Sequence, residues 1–193
     1  MRVFDFDNTL YDGESPLDFY LFSIKYNPRV LLLIPPVIWH TVRYKRSKST
    51  LDGLTKAIGR YIRFYLDSFD DLDAMVSKFW DAHMHKIRTW YEPQPGDVII
   101  TASFNCTMEE LLRRWHGVDC ICSRVDTVTH TLQFLNFGEN KVKVFRERYG
   151  ADCRPDEFYS DNMVDLPMMK LAHKAYLVRG DNITEVDVSL EAV

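Results

Sequence analysis

The chain begins with a short apolar strand that ends in two aspartates, and this feature restricts the fold more than any other. Asp5 and Asp7 alternate with Phe4 and Phe6, so in an extended chain both carboxylates lie on the same side. The carboxyl end of a buried strand is where α/β proteins expose reactive groups. Two ionised carboxylates this close repel each other unless a cation neutralises them or one retains a proton. The pair therefore predicts an α/β fold with a site for a hard divalent cation such as Mg²⁺.

The overall composition is typical of a soluble domain with an apolar core. The 193 residues are 46 % hydrophobic and 27 % charged, and the formal net charge is −4. This mild acidity gives no electrostatic reason to expect a nucleic-acid partner. The four cysteines lack the spacing of a zinc knuckle, so we expect reduced thiols in a cytoplasmic protein. We expect no signal peptide ahead of the first strand, and the longest apolar run, Val30 to Trp39, is too short to span a bilayer.

A long helical segment separates the first predicted strand from the second, Asp97 to Thr101. Apolar residues recur with a helical period in three stretches, which begin at Leu17, Leu54 and Leu72. The repeat of the first stretch consists of Leu17, Tyr20, Leu21 and Ile24. A segment this long is not a plain crossover loop. We therefore predict a catalytic core made of residues 1–11 and 93–193, and a helical cap, residues 12–92, that packs over the reactive edge of the sheet.

After Thr101 the pattern alternates between helices and strands, which predicts a parallel sheet with right-handed crossovers. Helices are predicted at 108–115, 139–149 and 166–173, strands at 118–124, 157–160 and 175–178, and an extended segment or hairpin at 127–137. Residues 181–193 are predicted to be a short tail with limited order. The predicted fold class is thus α/β, with a Rossmann-like parallel sheet core and an inserted α-helical cap.

Three further groups of polar residues follow predicted strand ends, and they would meet the aspartate pair at one edge of the sheet. Thr101-Ala102-Ser103 offers a hydroxyl and backbone N–H groups that suit phosphate oxygens. Lys141 lies in the first turn of a helix, where its charge can reach both a phosphate and a carboxylate. Asp161, Asn162 and Asp165 add oxygen ligands for the same cation. Taken singly, such residues are usually caps, turn residues or solvated charges, so the ordered set is what favours a site.

The segment Asp5-Phe6-Asp7-Asn8-Thr9-Leu10, together with the three later groups, resembles the motifs of the haloacid dehalogenase-like (HAD) hydrolase superfamily. The resemblance is to the branch with a helical cap between the first and second motifs. Gly138 to Lys141 and Ser160 to Pro167 are similar to the phosphoserine phosphatase-like members, and the layout also resembles bacterial phosphatidylglycerophosphate phosphatases. Two departures bear on the substrate. Thr-Ala-Ser replaces the usual Ser-Gly-Gly, and Val164 stands where serine phosphatases have Asn.

The resemblance implies roles in a phosphatase reaction. Asp5 is the implied nucleophile, and Asp7 is the implied general acid and base. Thr101, Ala102 and Ser103 form the implied phosphate-binding segment, and Lys141 the implied charge-stabilising cation. The reaction would hydrolyse a phosphomonoester through an aspartyl-phosphate. Dehalogenation is disfavoured, because a departing halide needs no proton and therefore no acid such as Asp7.

The resemblance also implies a cofactor, Mg²⁺, and its ligands. The implied ligands are Asp5, Asp7 through its backbone carbonyl, and Asp161, with Asp165 in support. Glu14 and Ser15 follow the first motif closely enough to be candidate substrate contacts, and Asn162 is a third.

The predicted substrate is a phosphorylated small molecule or a lipid head group. The apolar run is followed by a basic cluster, which consists of Arg43, Lys45, Arg46 and Lys48. This combination occurs in proteins that contact anionic membranes peripherally, here at an inner membrane face. The alternative, which we favour, is that the run forms the core of the cap and the basic cluster its solvated face.

Two further functions are compatible with the sequence. One is a non-catalytic binding or membrane-docking protein that has kept the fold, although the intact Asp5, Asp7, Lys141 and Asp161 argue against it. The other is a phosphotransferase or mutase, which uses the same first step.

Overall fold

The structure, a computed structural model, describes residues 1–33 and 51–188, and for residues 51–55, 57 and 58 it describes the backbone alone. Within these residues seven strands form one sheet in the order β4-β3-β2-β1-β5-β6-β7. The strands are β1 (Arg2–Phe4), β2 (Val98–Phe104), β3 (Asp119–Val125), β4 (Leu132–Phe134), β5 (Glu157–Ser160), β6 (Lys174–Arg179) and β7 (Asn182–Val186). The five central strands are parallel, and the edge strands β4 and β7 are antiparallel to their neighbours. The predicted α/β class with a Rossmann-like core is confirmed.

Strand β1 lies at the centre of the sheet, which places the residues after it between two other strand ends. Phe4 is in register with Ile99 of β2 on one side and with Tyr159 of β5 on the other. The backbone N–H of Asp5 still donates to the carbonyl of Tyr159, at 2.8 Å. The first aspartate therefore stands at the carboxyl edge, where the ladder hydrogen bonds end.

Six α-helices occur in the described part of the chain. They are α1 (Ser15–Ile24), α2 (Leu51–Leu66), α3 (Leu72–His83), α4 (Asn105–Arg114), α5 (Glu139–Tyr149) and α6 (Leu166–Leu171), with 3-10 turns at Pro28–Leu33, Met84–Lys86 and Met163–Asp165. Asp71 caps α3, because its side chain accepts the N–H of Ala74 at 2.9 Å. Helix α5 begins after Gly138 and ends before Gly150, as the sequence predicts.

Apolar clusters cover both faces of the sheet, which explains why the central strands are apolar at consecutive positions. On one face Phe4 and Ile99 pack with Val76, Phe79 and Trp80 of α3. The Trp80 indole N–H donates to the carbonyl of Thr107, so its polar atom is satisfied in the core. Helices α5 and α6 cover the opposite face, where they bury the side chains of Phe145, Met168 and Met169 against the sheet. Helix α3, although it lies in the predicted cap, thus shares its hydrophobic cluster with the sheet.

The predicted helix at the start of the cap is present as α1, but its apolar repeat does not mark its buried side. Leu17 and Leu21 are 54 % and 53 % exposed, whereas Ser15, Phe19 and Ser23 are buried. The Phe19 ring packs against that of Phe79, with centroids 5.3 Å apart. Helix α1 has apolar residues on two adjacent stripes, and each stripe follows the helical period. Packing against α3 determines that the stripe through Phe19 is the buried one.

The prediction of a short tail with limited order at residues 181–193 is wrong for residues 182–186, which form β7. Strand β7 pairs with β6 from Arg179↔Asn182 to Ala175↔Val186. The two-residue connection is Gly180-Asp181, and Gly180 has a φ of 62°, which a glycine adopts without strain in a tight hairpin. The sequence contains a signal for this hairpin, which is a Gly-Asp turn ahead of a segment with three β-branched residues, Ile183, Thr184 and Val186.

The structure bears on the prediction that no segment spans a bilayer, but it describes only the start of the apolar run on which the hypothesis of peripheral membrane contact rests. No helix of residues 1–33 and 51–188 is both long and apolar enough to cross a membrane. The first residues of the apolar run, Val30 to Leu33, lie in a 3-10 turn. The rest of the run and the whole basic cluster lie outside the described residues.

Candidate active site

The site forms around a buried lysine that bridges two carboxylates. The Nζ of Lys141, from the first turn of α5, lies 2.9 Å from Oδ1 of Asp5 and 2.8 Å from Oδ2 of Asp165. All three residues are buried, and the hydroxyl of Ser160 donates to the same Asp165 oxygen at 2.9 Å. Residues far apart in the chain thus meet where β1 and β5 end.

Burial and charge act in opposite directions on this ion-pair triad. Burial raises the pKa of Asp5 to about 7, although Lys141 favours the carboxylate. Burial also opposes the charge of Lys141, but Asp5 and Asp165 outweigh it and raise its pKa. The lysine therefore stays protonated, but its charge offsets only part of the desolvation cost of the Asp5 carboxylate.

Asp7 is held by hydrogen bonds on both of its carboxylate oxygens. The backbone N–H of Ser15 donates to Oδ1 at 2.6 Å, and the hydroxyl of Ser103 donates to Oδ2 at 2.6 Å. Burial raises the pKa of Asp7, against the lowering effect of these hydrogen bonds. A carboxyl group whose pKa is raised is able to carry a proton closer to neutral pH, as a general acid must.

The predicted phosphate-binding segment lies at the end of β2, which continues to Phe104. Thr101 and Ser103 are buried, and the hydroxyl oxygen of Thr101 accepts the N–H of Ser103 at 3.0 Å. The pairing of β2 with β3 shifts register between Ile100 and Phe104, so the strand is irregular there. The Thr101 hydroxyl keeps its own proton for donation, whereas that of Ser103 is directed to Asp7. Phosphate binding by residues 101–103 stays a prediction.

One hydrogen bond ties the last predicted group to the segment that carries Asp5 and Asp7. The N–H of Asp161 donates to the hydroxyl of Thr9 at 2.9 Å. Burial, with Asp165 nearby, raises the pKa of Asp161. Asn162 is exposed, and its side chain accepts the N–H of Val164 at 3.0 Å, which caps the 3-10 turn. The structure thus gives Asn162 a local capping contact, and its predicted substrate contact stays untested.

Glu14 lies in the loop that precedes α1, close enough to Asp7 and Asp161 for their charges to act on it. Its Oε1 accepts a hydrogen bond from the Asn8 side-chain amide at 2.6 Å. Asn8 has a φ of 57°, a left-handed conformation that asparagine tolerates better than most residues, and its N–H closes the loop on the carbonyl of Gly13. Partial burial and the neighbouring Asp7 raise the pKa of Glu14.

The site has more negative than positive charge, which suits a divalent cation. The carboxylates are Asp5, Asp7, Asp161 and Asp165. The cations beside them are Lys141, which lies between Asp5 and Asp165, and Arg179, which donates to the backbone carbonyl of Asp161. Burial raises the pKa of the first three, so in the metal-free state their charge is poorly compensated. No three His, Cys, Asp or Glu side chains converge as a metal cluster in residues 1–33 and 51–188. The predicted ligands need only two carboxylates and one backbone carbonyl, so the donor set fits Mg²⁺.

Three residues that hold the site together were given no role from the sequence. Thr9 anchors Asp161, and Ser160 anchors Asp165. Fully buried Asn136 donates through its side-chain amide to the carbonyls of Thr101 and Ile121, both at 3.0 Å. Thr9 and Ser160 belong to the segments that carry the family resemblance, which is a usable signal. Asn136 stands alone ahead of Gly138, and its position in the sequence gives no such signal.

Several solved structures share this fold. A protein with unknown function from Bordetella pertussis Tohama I superimposes with a TM-score of 0.66 at 15 % identity, over 91 % of this chain and 87 % of that chain. A phosphoserine phosphohydrolase-like protein from Francisella tularensis superimposes with a TM-score of 0.51 at 13 % identity, over 90 % of this chain and 84 % of that chain. A probable phosphoserine phosphatase from Vibrio cholerae superimposes with a TM-score of 0.53 at 12 % identity, over 90 % of this chain and 55 % of that longer chain. At these identities the likeness concerns the fold.

The sequence itself identifies the family. No curated protein matches this chain significantly. The haloacid dehalogenase-like hydrolase family, however, matches residues 3–170, which include every predicted site residue. The chain belongs to the haloacid dehalogenase-like hydrolase family.

Proposed function

We propose that this protein is a Mg²⁺-dependent phosphomonoester hydrolase that acts through an aspartyl-phosphate on Asp5. The observation that carries the proposal is the buried Lys141 between Asp5 and Asp165, with Asp7 two residues along the same strand end. Membership of a hydrolase family and a fold like that of phosphoserine phosphatase-like proteins support it. The substrate is a small phosphomonoester or the phosphate of a lipid head group.

In the first step a carboxylate oxygen of Asp5 attacks phosphorus. The new O–P bond forms as the bond from phosphorus to the substrate oxygen breaks, and protonated Asp7 gives its proton to that leaving oxygen. The product is an alcohol and an acyl phosphate on Asp5. The position of Asp7, held through both oxygens, suits a group that must donate to one defined atom.

In the second step water attacks the phosphorus of the acyl phosphate. Asp7, now ionised, takes a proton from the water, and the Asp5 carboxylate leaves with the electron pair of the broken O–P bond. Inorganic phosphate is released, and both aspartates return to their initial states. One residue thus acts as acid and then as base.

The remaining residues stabilise charge on the transferred group. Lys141 is buried and kept protonated by two carboxylates, so its charge acts at short range in a medium that screens little. The Thr101 hydroxyl donates to a phosphate oxygen, and the N–H of Ser103 holds that hydroxyl in place by donating to its oxygen. When bound, Mg²⁺ would be held by Asp5, the Asp7 carbonyl and Asp161, and it would offset negative charge on the phosphoryl oxygens.

Hydrolysis of p-nitrophenyl phosphate tests the proposal. Wild type should turn over with Mg²⁺ and lose activity in EDTA, and Asp5→Asn should be inactive because the nucleophile is lost. Asp152→Asn, a change of the same kind at an exposed turn outside the site, should match wild type. Full activity in metal-free buffer, or wild-type turnover by Asp5→Asn, would reject the assignment.

Vesicles distinguish the two substrate classes. Leu31 and Leu32, which precede the basic cluster in the sequence, are 43 % and 72 % exposed. Changing the four basic residues to Gln removes roughly 4 kcal/mol of attraction to an anionic bilayer, at about 1 kcal/mol per residue. For a lipid substrate, this variant should lose vesicle flotation and activity on vesicle-borne phosphate, but keep activity on p-nitrophenyl phosphate. If wild type does not bind anionic vesicles at low salt, the substrate is a small phosphomonoester.

A further inference from the structure

Two serines from different parts of the fold meet at the carboxylate of Asp7. Ser103 lies on β2, is fully buried, and donates to Oδ2 at 2.6 Å. Ser15 is the first residue of α1, is 2 % exposed, and donates through its backbone N–H to Oδ1 at 2.6 Å. The two serine hydroxyl oxygens are 3.2 Å apart.

The direction of these hydrogen bonds follows from the number of protons. The Ser103 hydroxyl has one proton, and the shorter contact, to a carboxylate, is the stronger one. The Ser15 hydroxyl is then the donor in its contact with Ser103, so the bonds run from Ser15 through Ser103 to Asp7. Hydrogen bonds in such a chain strengthen one another. The N–H of Ser103 is in turn fixed on the hydroxyl oxygen of Thr101 at 3.0 Å, so the donor itself is held in place.

We propose that Ser103 is a positioning residue, which orients Asp7 for proton transfer to the leaving oxygen, and that Ser15 supports it. This inference rests on the proposed function, because it requires Asp7 to be the general acid. Each carboxylate oxygen has two lone pairs, so Asp7 carries its acidic proton while it accepts both hydrogen bonds. With both oxygens held, rotation of the carboxyl group is restricted, and the proton points in one direction. This role differs from the phosphate contact that the sequence predicts for Ser103.

The test compares two aryl phosphates of similar shape in the Mg²⁺-loaded enzyme. Phenolate is a poorer leaving group than p-nitrophenolate and depends more on protonation. General acid catalysis contributes about 10²- to 10⁴-fold, so partial misorientation should cost less than that. Ser103→Ala should lower kcat/KM for phenyl phosphate about 10- to 100-fold, and for p-nitrophenyl phosphate less than about threefold. Equal losses on both substrates would overturn the proposal, because a phosphate contact or a general structural role affects both alike.

Three further variants secure the interpretation. Ser103→Gly removes the same hydroxyl without leaving a methyl group beside Asp7, and it should show the same selectivity. Ser15→Ala keeps the N–H that holds Oδ1, so its selective loss should be smaller, about two- to fivefold. Ser123→Ala is the matched control, because Ser123 is equally buried on the adjacent strand but donates to the carbonyl of Ala102. It should show no preference between the two substrates, and a preference equal to that of Ser103→Ala would overturn the proposal.

A double variant shows whether Ser103 acts through Asp7. In an Asp7→Asn background, where the acidic proton is absent, Ser103→Ala should lower kcat/KM for phenyl phosphate by less than about threefold further. A loss as large as in wild type would overturn the proposal. Failure of wild type to hydrolyse either ester would instead reject the proposed function, so the two failures are distinguishable.

Discussion

Asp5 should reduce the stability of the metal-free protein, although it is the residue on which the proposed chemistry depends. Burial raises its pKa from 3.8 to about 7, because desolvation of the carboxylate outweighs the attraction of Lys141. A carboxyl group with a raised pKa in the folded state costs nothing below the unfolded pKa, and its cost grows as pH rises from about 4 to about 7. Asp5→Asn should therefore stabilise the metal-free protein at neutral pH.

The size of this effect follows from the displaced pKa. Each tenfold change in the protonation equilibrium corresponds to about 1.36 kcal/mol. Above pH 7 the stabilisation by Asp5→Asn therefore has an upper limit of about 4 kcal/mol. Local relaxation and water penetration reduce the cost of a buried charge, so we expect a gain of about 2 kcal/mol in the free energy of unfolding. At pH 4 the gain should be close to zero, because Asp5 is then largely protonated.

Urea unfolding in EDTA at pH 4 and pH 7.5 measures this difference. Asp97→Asn is the matched control, since Asp97 is 3 % exposed on the segment leading into β2 and accepts from Arg2 at 2.9 and 2.7 Å. That carboxylate has a well-placed partner, so its loss should lower the free energy of unfolding by about 1.5–3 kcal/mol. If Asp5→Asn is less stable than wild type at pH 7.5 in EDTA, the charge balance inferred for the site is wrong.

Three other outcomes follow from the same geometry. Lys141→Met leaves Asp5 and Asp165 without their cation, so the free energy of unfolding should fall by about 3–5 kcal/mol in urea titrations; a loss below about 1 kcal/mol would contradict the buried bridge. Mg²⁺ at ten times its Kd should stabilise wild type by about 1.4 kcal/mol and Asp5→Asn much less, and equal thermal shifts would place the ion elsewhere. Asp7→Asn should lose less activity on p-nitrophenyl phosphate than on an alkyl phosphate, and an equal loss on both would argue against Asp7 as general acid.

The parts of the fold that the sequence predicts best are those with a local cause. Helix α5 has a glycine at each end and β5 follows an apolar pattern, so their bounds match the prediction. The buried side of α1 has no local cause, because Phe19 is selected by the ring of Phe79, which lies far along the chain. The hairpin of β6 and β7 is not among the predicted elements, although Gly180-Asp181 is a sequence typical of a tight turn.

The same division applies to the site. Strand ends predict that Asp5 and Asp165 lie at one edge of the sheet, and the first turn of a helix brings Lys141 to the same edge. The three side chains meet there. The Thr-Ala-Ser segment shows what such reasoning cannot supply. Whether the Ser103 hydroxyl turns to a phosphate or to Asp7 depends on the irregular end of β2 and on the approach of α1, both of which are tertiary.

The most direct test of the central claim is to trap the phosphoryl group on Asp5. Acid quenching during turnover, followed by borohydride reduction, converts an aspartyl-phosphate to homoserine, which mass spectrometry locates in the N-terminal peptide. We expect homoserine at position 5 in wild type with substrate and Mg²⁺, and none at Asp7 or without substrate. Modification of another residue, or turnover with no modified Asp5, would contradict the account.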